Sequence, residues 1–128
     1  MNEHSIQNQI RLAISKHRLG VSFRTNVGAA WQGDVEKNPD GTITIRNPRP
    51  FKSGLPEGFS DLLVISPVTI TSEMIGQTFA RAGFLEVKTP KGRPTEAQLN
   101  FIKQMTNLGA LAGVARSPEE AIRILKGE

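Results

Sequence analysis

Phe84-Leu85-Glu86-Val87-Lys88 is the stretch whose reading decides the fold. It is short, its Phe84, Leu85 and Val87 are apolar or β-branched, and Pro90 and Gly92 stop it. This predicts a strand over residues 79–88, with a bulge at Gly83. Strand side chains alternate, so Glu86 and Lys88 share one face and Val87 takes the other. A carboxylate and an ammonium at the end of a core-like strand cost free energy to bury unless they are paired or put to chemical use. Upstream, Gly58-Phe59-Ser60-Asp61 runs into a near-continuous apolar stretch over residues 61–65, which predicts a central strand opened by an acid.

Working outward, Ile6, Ile10, Ala13 and Ile14 recur at helical spacing and predict a helix over residues 3–19, closed by Gly20. Residues 21–27 alternate as a half-buried strand, with Phe23, Thr25 and Val27 on one face and Ser22, Arg24 and Asn26 on the other. Residues 28–58 read as loop-rich, with one small exposed hairpin, 34–37 to 42–46, about the turn Asn38-Pro39-Asp40-Gly41. Trp31, the only tryptophan, reads first as a plug for that loop's own small core, with base stacking as the alternative. Residues 68–70 look β-like and 72–75 read as one helical turn.

Thr95-Glu96-Ala97-Gln98 is a capping box that starts a helix to about residue 108, closed by Gly109, with Leu99, Ile102 and Met105 inward. Small residues over 110–115 predict a strand suited to close packing. Ser117-Pro118-Glu119-Glu120 is a second capping box with proline at the first helical position, and Ala121, Ile122 and Leu125 are expected inward. The order α-β-(hairpin)-β-β-α-β-α predicts a single α/β domain over residues 1–128, a sandwich with a mixed central β-sheet flanked by helices.

The composition narrows the class. Among 128 residues, 38% are hydrophobic and 22% charged, ordinary for a soluble globular chain with one core. No apolar run of about 18 residues is present, so no membrane span is expected. No basic stretch followed by an apolar one opens the chain, so no signal peptide is expected, and a cytoplasmic location is the expectation. The absence of cysteine excludes disulfides and thiolate metal sites, and two histidines, His4 and His17, argue against a histidine-rich zinc site. A net charge of +4 favours an acidic partner. Its basic residues concentrate in 46–52, with Arg49 and Lys52, and in 88–93, with Lys91 and Arg93. Both segments are rich in proline or glycine, as suits loops that track a phosphate backbone.

Phosphodiester hydrolysis needs a divalent cation, an oriented water and compensation for the charge that develops on phosphorus. Mg²⁺ or Mn²⁺ takes oxygen ligands and keeps several waters, so one or two carboxylates suffice. Asp61 and Glu86 on adjacent strands can supply them, and the backbone carbonyl of Val87 a third oxygen. Lys88, on the face of Glu86, can hold the attacking water or stabilise the developing charge. Asp…Glu-x-Lys alone is a short pattern that a surface salt bridge also explains. Its placement on apolar strands, after a turn-rich loop and before a basic loop and a capped helix, favours the catalytic reading.

The segment from Gly54 to Leu62, then Glu86-Val87-Lys88-Thr89-Pro90-Lys91-Gly92-Arg93-Pro94-Thr95, then Gln98, resembles the virus-type replication-repair nuclease (VRR-NUC) family. The resemblance extends to Glu3, Ile6 and Gln7, to Arg24-Thr25-Asn26, and to residues 109–120. It implies a restriction-endonuclease-like fold and a nuclease dependent on Mg²⁺ or Mn²⁺, with Asp61 and Glu86 as metal ligands and Lys88 as the catalytic lysine. It further implies that Glu3 approaches the metal and that Gln98 lies near the active site. Ser60 stands where a proline is frequent in the family, which changes the turn but not the ligands. Lys91 and Arg93, with Arg49 and Lys52, are the expected DNA contacts, as are Arg24 and Asn26, for which a sheet-edge salt bridge is the alternative. The small size implies recognition of DNA shape, and the stand-alone relatives resemble dimeric Holliday-junction resolvases of phage or bacterial replication and repair. The competing expectations are a flap, duplex-end or restriction-like nuclease, and a DNA-binding module that does not cleave.

Overall fold

The computed structural model describes residues 2–25 and 30–128. Its elements follow the expected order: α1 (Glu3–Lys16), β1 (Val21–Arg24), β2 (Ala30–Lys37), β3 (Ile43–Phe51), β4 (Leu62–Ile65), a 3-10 turn (Ser72–Met74), β5 (Gly83–Val87), α2 (Glu96–Asn107), β6 (Leu111–Ala115) and α3 (Pro118–Leu125). The chain is thus mixed α/β. Parallel and antiparallel pairing are both present. Among the described residues they are divided between three two-stranded sheets, β1-β4, β2-β3 and β5-β6, where one mixed central sheet was expected. By internal contacts the chain forms two compact units, Met1–Arg11 with Ser22–Val64, and Leu12–Val21 with Ile65–Glu128.

In the first unit, the Thr25 N–H donates to the Asp61 carbonyl at 3.1 Å, and the Thr25 hydroxyl donates to the carbonyl of Ser60. Arg11 Nε donates to Ser22 Oγ at 3.1 Å and fastens α1 to the start of β1. The apolar run 61–65 does form a strand, but not a central one. β4 pairs with β1 alone among the described residues, and Leu63 and Val64 are both more than a third exposed.

The hairpin is longer than expected and takes up much of the segment read as loop. β2 and β3 pair antiparallel from Ala30 opposite Phe51 to Lys37 opposite Ile43. Pro48 and Pro50 hid this strand from a sequence reading. A ribbon with one partner per strand tolerates them, because a proline's missing N–H can face the unpaired edge. The register shifts between Gln32 and Asp34. Gly33 sits in that shift because a Cβ there would lie 2.7 Å from the Arg46 carbonyl oxygen. The tip forms as the turn residues predict. Asp40 Oδ1 accepts from the Thr42 N–H at 3.0 Å and from its hydroxyl at 2.6 Å, and Gly41 takes φ 86°. Trp31 is 63% exposed on β2, so it plugs no core.

The second unit is a β-α-β crossover followed by a helix. β5 and β6 pair in parallel, Gly83 opposite Leu111 through Val87 opposite Ala115, and Lys88 N–H to Ala115 carbonyl (3.1 Å) extends the ladder. Parallel strands need a crossover of this length, and α2 supplies it. Thr95 caps α2 through the full reciprocal box with Gln98. The face of α2 that turns inward carries Gln98, Phe101, Ile102, Met105 and Leu108, and Met105 is 2% exposed. Leu99, expected inward, is exposed, and Phe101 takes its place, packed edge-on to Phe84 with centroids 5.3 Å apart.

On the opposite face of the same two strands lies α3. Cβ atoms built on Gly83 and Gly113 would approach Leu125 and Ile124, so the small residues there admit the helix. Ile124 is the residue that packs on Gly113, whereas Ile122, expected inward, is 53% exposed. Ser117 caps α3 by accepting from the Glu120 N–H at 3.2 Å. The expected reciprocal bond differs by one position: Glu120 Oε2 accepts from the Arg116 N–H at 2.6 Å. β5 begins at Gly83 and not at Phe79: its partner β6 begins at Leu111, whose N–H bonds the Ala82 carbonyl, so the ladder starts there. Residues 68–70 form no strand.

Candidate active site

β5 alternates between exposed and half-buried positions, and its half-buried face carries Phe84 and Glu86, with Lys88 next along. That face looks onto α2. The alternation therefore sets the acid and the lysine on the α2 side, while Val87, 75% exposed, points away. Lys88 Nζ lies 3.4 Å from Glu86 Oε1, with the two side chains 21% and 31% exposed. Gln98 Nε2 donates to the same Oε1 at 2.9 Å.

Gln98 reaches Glu86 because of its position on α2. It is the third helical residue after Thr95. Its Oε1 accepts from the Thr95 N–H at 2.8 Å, and its own N–H donates to Thr95 Oγ1 at 3.1 Å. One amide group thereby closes the helix cap with its oxygen and holds the carboxylate with its nitrogen. Below this cluster a cleft of about 450 Å³ opens between β5 and α2, apolar at Phe84 and Phe101 and polar at Glu86 and Gln98.

The basic loop after β5 is also fixed. Gly92 N–H bonds to the Thr89 carbonyl and to Thr89 Oγ1, which folds residues 89–92 into a turn. Arg116 donates from its guanidinium to the Gly92 carbonyl at 2.9 Å. Arg116 was not singled out in the sequence. The signal available was only its position just after the strand that pairs with β5. Lys91 and Arg93 project from the turn into solvent.

In the first unit, Asp61 is exposed immediately ahead of β4, its carbonyl held by Thr25. Glu3 is the exposed first residue of α1, where the helix dipole favours a negative charge. Gln7 follows one turn later on the same side of α1, and its Oε1 is buried with no hydrogen-bond partner among the described residues. Gln7 therefore carries an uncommitted oxygen. Arg24 donates to Asn8 Oδ1 of α1, so its guanidinium is engaged. Asn26 lies outside the described residues. Arg49 and Lys52 are exposed and make no ion pair or hydrogen bond among the described residues.

Among the described residues, no group of three or more histidine, aspartate or glutamate side chains is gathered to hold a metal ion. The donors present still fit a hard divalent cation, which binds oxygen and retains waters, so that one or two carboxylates are enough. Glu86 is such a donor, half-buried and oriented by a hydrogen bond from Gln98 and an ion pair with Lys88.

No helix is long and apolar enough to cross a membrane among the described residues. The sequence model of the VRR-NUC domain family matches residues 1–119, which takes in residues of both compact units. No curated protein and no solved structure matches the chain.

Proposed function

The chain belongs to the VRR-NUC domain family, whose members are nucleases acting on DNA, and from that premise we propose that it is a divalent-metal-dependent, structure-selective DNA endonuclease. The observation that carries this reading is the cluster on β5 and α2: one carboxylate oxygen of Glu86 held by Gln98 at 2.9 Å and by Lys88 at 3.4 Å. A salt bridge serving stability alone has no need of a third residue that fixes the carboxylate's orientation.

In this reading Glu86 and Asp61 are the carboxylate ligands, the Val87 carbonyl adds an oxygen, and Glu3 acts through water, with Gln7 as a further oxygen beside it on α1. Mg²⁺ or Mn²⁺, when bound, polarises the scissile phosphate and acidifies water. Lys88 holds the attacking water through its ammonium group and then faces the negative charge that grows on the phosphoryl oxygens. Gln98 keeps Glu86 in one rotamer, so that the carboxylate needs no reorganisation during the reaction. Water adds to phosphorus, the bond from phosphorus to the leaving sugar oxygen breaks, and a proton passes to that oxygen.

Lys91 and Arg93 are the phosphate contacts nearest this cluster in sequence, and Arg49 and Lys52 supply a second set. Arg24 and Asn26 are proposed as weaker contacts, Arg24 because Asn8 must first release it. The whole chain acts as one nuclease domain of the restriction-endonuclease-like class. It works as a homodimer that presents two sites to a branched substrate, in the manner of a Holliday-junction resolvase, in the cytoplasm of a bacterial or phage-infected cell.

The test is cleavage of labelled four-way junction, flap and linear duplex DNA in Mg²⁺ or Mn²⁺, with Lys88→Ala alongside. Paired symmetric nicks lost in the variant support the resolvase. Cleavage of flap or linear DNA alone retains the nuclease and removes the junction preference. DNA binding without cleavage leaves the non-cleaving module.

A further inference from the structure

Resting on the nuclease reading, we infer that the β2–β3 hairpin is a DNA-binding element in which Trp31 stacks on an unpaired base while Arg49 and Lys52 neutralise phosphates. Trp31 is the only tryptophan of the chain and is 63% exposed, on a ribbon whose strands pair only with each other among the described residues. The ring is open to solvent, as stacking on a base requires. Trp31 stands opposite Pro50, so the two rings share one face of the ribbon and the proline stiffens the support beneath the indole.

The charges around it are sorted in a way that points to an anion. Three acids lie on the hairpin, and each is engaged within it: Asp34 by Asn47 at 3.2 Å, Glu36 by Arg46 at 3.0 Å, Asp40 by Thr42. Two cations that flank Pro50 in sequence, Arg49 on β3 and Lys52 just after it, have no such side-chain partner among the described residues. Strand alternation sends Arg49, which pairs with Gln32, to the face opposite Trp31. The open end of the ribbon therefore offers one aromatic ring with a free cation on each side of its strand position, while its acids are spent internally.

An exposed ring on a ribbon edged by uncommitted cations is the recognition chemistry of single-stranded nucleic acid, since every base has a stacking face and every nucleotide a phosphate. Base pairs inside a duplex keep their faces covered. The occupant is accordingly an unpaired base, of the kind exposed at a branch, a flap or a frayed end.

The single tryptophan makes the test direct. The full chain is titrated with oligothymidylate without divalent metal, following tryptophan emission and, separately, the anisotropy of labelled DNA. The inference expects emission to fall and to saturate together with binding. It also expects Trp31→Ala to weaken single-strand binding about tenfold with duplex binding little changed, and Trp31→Phe to restore most of the loss. Binding or metal-dependent cleavage with unchanged emission, and full affinity in Trp31→Ala, overturns the inference and leaves the nuclease standing. DNA neither bound nor cut by the wild-type chain overturns both.

Discussion

Gln98 and Glu86 meet at 2.9 Å through the one half of the glutamine amide that the helix cap leaves free. The first turn of α2 and the orientation of the carboxylate are therefore set by the same side chain. Thr95 takes part only in the cap, which allows the two roles to be separated.

Gln98→Ala is expected to lower stability by about 1 kcal/mol through loss of the reciprocal cap and to lower the cleavage rate by at least tenfold. Thr95→Ala loses a similar amount of stability but keeps the amide beside Glu86, and its cleavage rate falls less. Gln98→Glu retains the box yet places a second carboxylate against Glu86, so the fold is kept and cleavage is lost. Thermal melts and single-turnover rates on the three variants check the ordering.

Arg116 acts on the basic turn through the Gly92 carbonyl. Arg116→Ala is expected to weaken DNA binding several-fold while the single-turnover rate at saturating enzyme stays near that of the wild type. In a double-mutant cycle with Lys91→Ala the losses are less than additive, because a released turn no longer presents the lysine. Full additivity would show that Arg116 contacts DNA on its own account.

The approach of α3 to β6 depends on Gly113. A Cβ there would lie 2.9 Å from Ile124 Cδ1. Gly113→Ala is expected to cost about 1–3 kcal/mol by overpacking. Ile124→Val removes the clashing methyl, so the double variant should unfold at a higher temperature than Gly113→Ala alone, although each change is destabilising by itself.

At the hairpin tip, the hydroxyl and N–H of Thr42 hold the Asp40 carboxyl below the usual carboxylate range. A depressed pKa in the folded chain means that the turn is fully supported above the ordinary carboxylate value and loses this support as pH falls through the lowered one. Amide exchange at Thr42, corrected for its intrinsic rate, should accelerate on acidification in the wild type. It should be fast and free of this acid transition in Asp40→Ala.

The sequence spoke clearly where one local rule decided the outcome. The cap at Thr95 and the turn at Asp40 formed as read, because each is complete within four residues. The shared face of Glu86 and Lys88 followed from strand alternation alone. Features that depend on partners were less legible. Leu99 and Phe101 exchange places because the inward arc of α2 is set by where β5 puts Phe84, which helical spacing cannot supply. The long β3 was hidden by Pro48 and Pro50, whose tolerance depends on how many neighbours the strand has. Arg116 was silent because its partner is a main-chain oxygen, and a carbonyl leaves no trace in residue identity.

That last contact separates the frame of the turn from its lettering. Arg116 grips Gly92 by its backbone, and Thr89 closes the turn from the other side, so the shape of residues 89–92 is indifferent to what stands at position 91. The side chain at that position can be exchanged, by drift or by design, to change the charge the turn shows to solvent while β5 behind it stays in register.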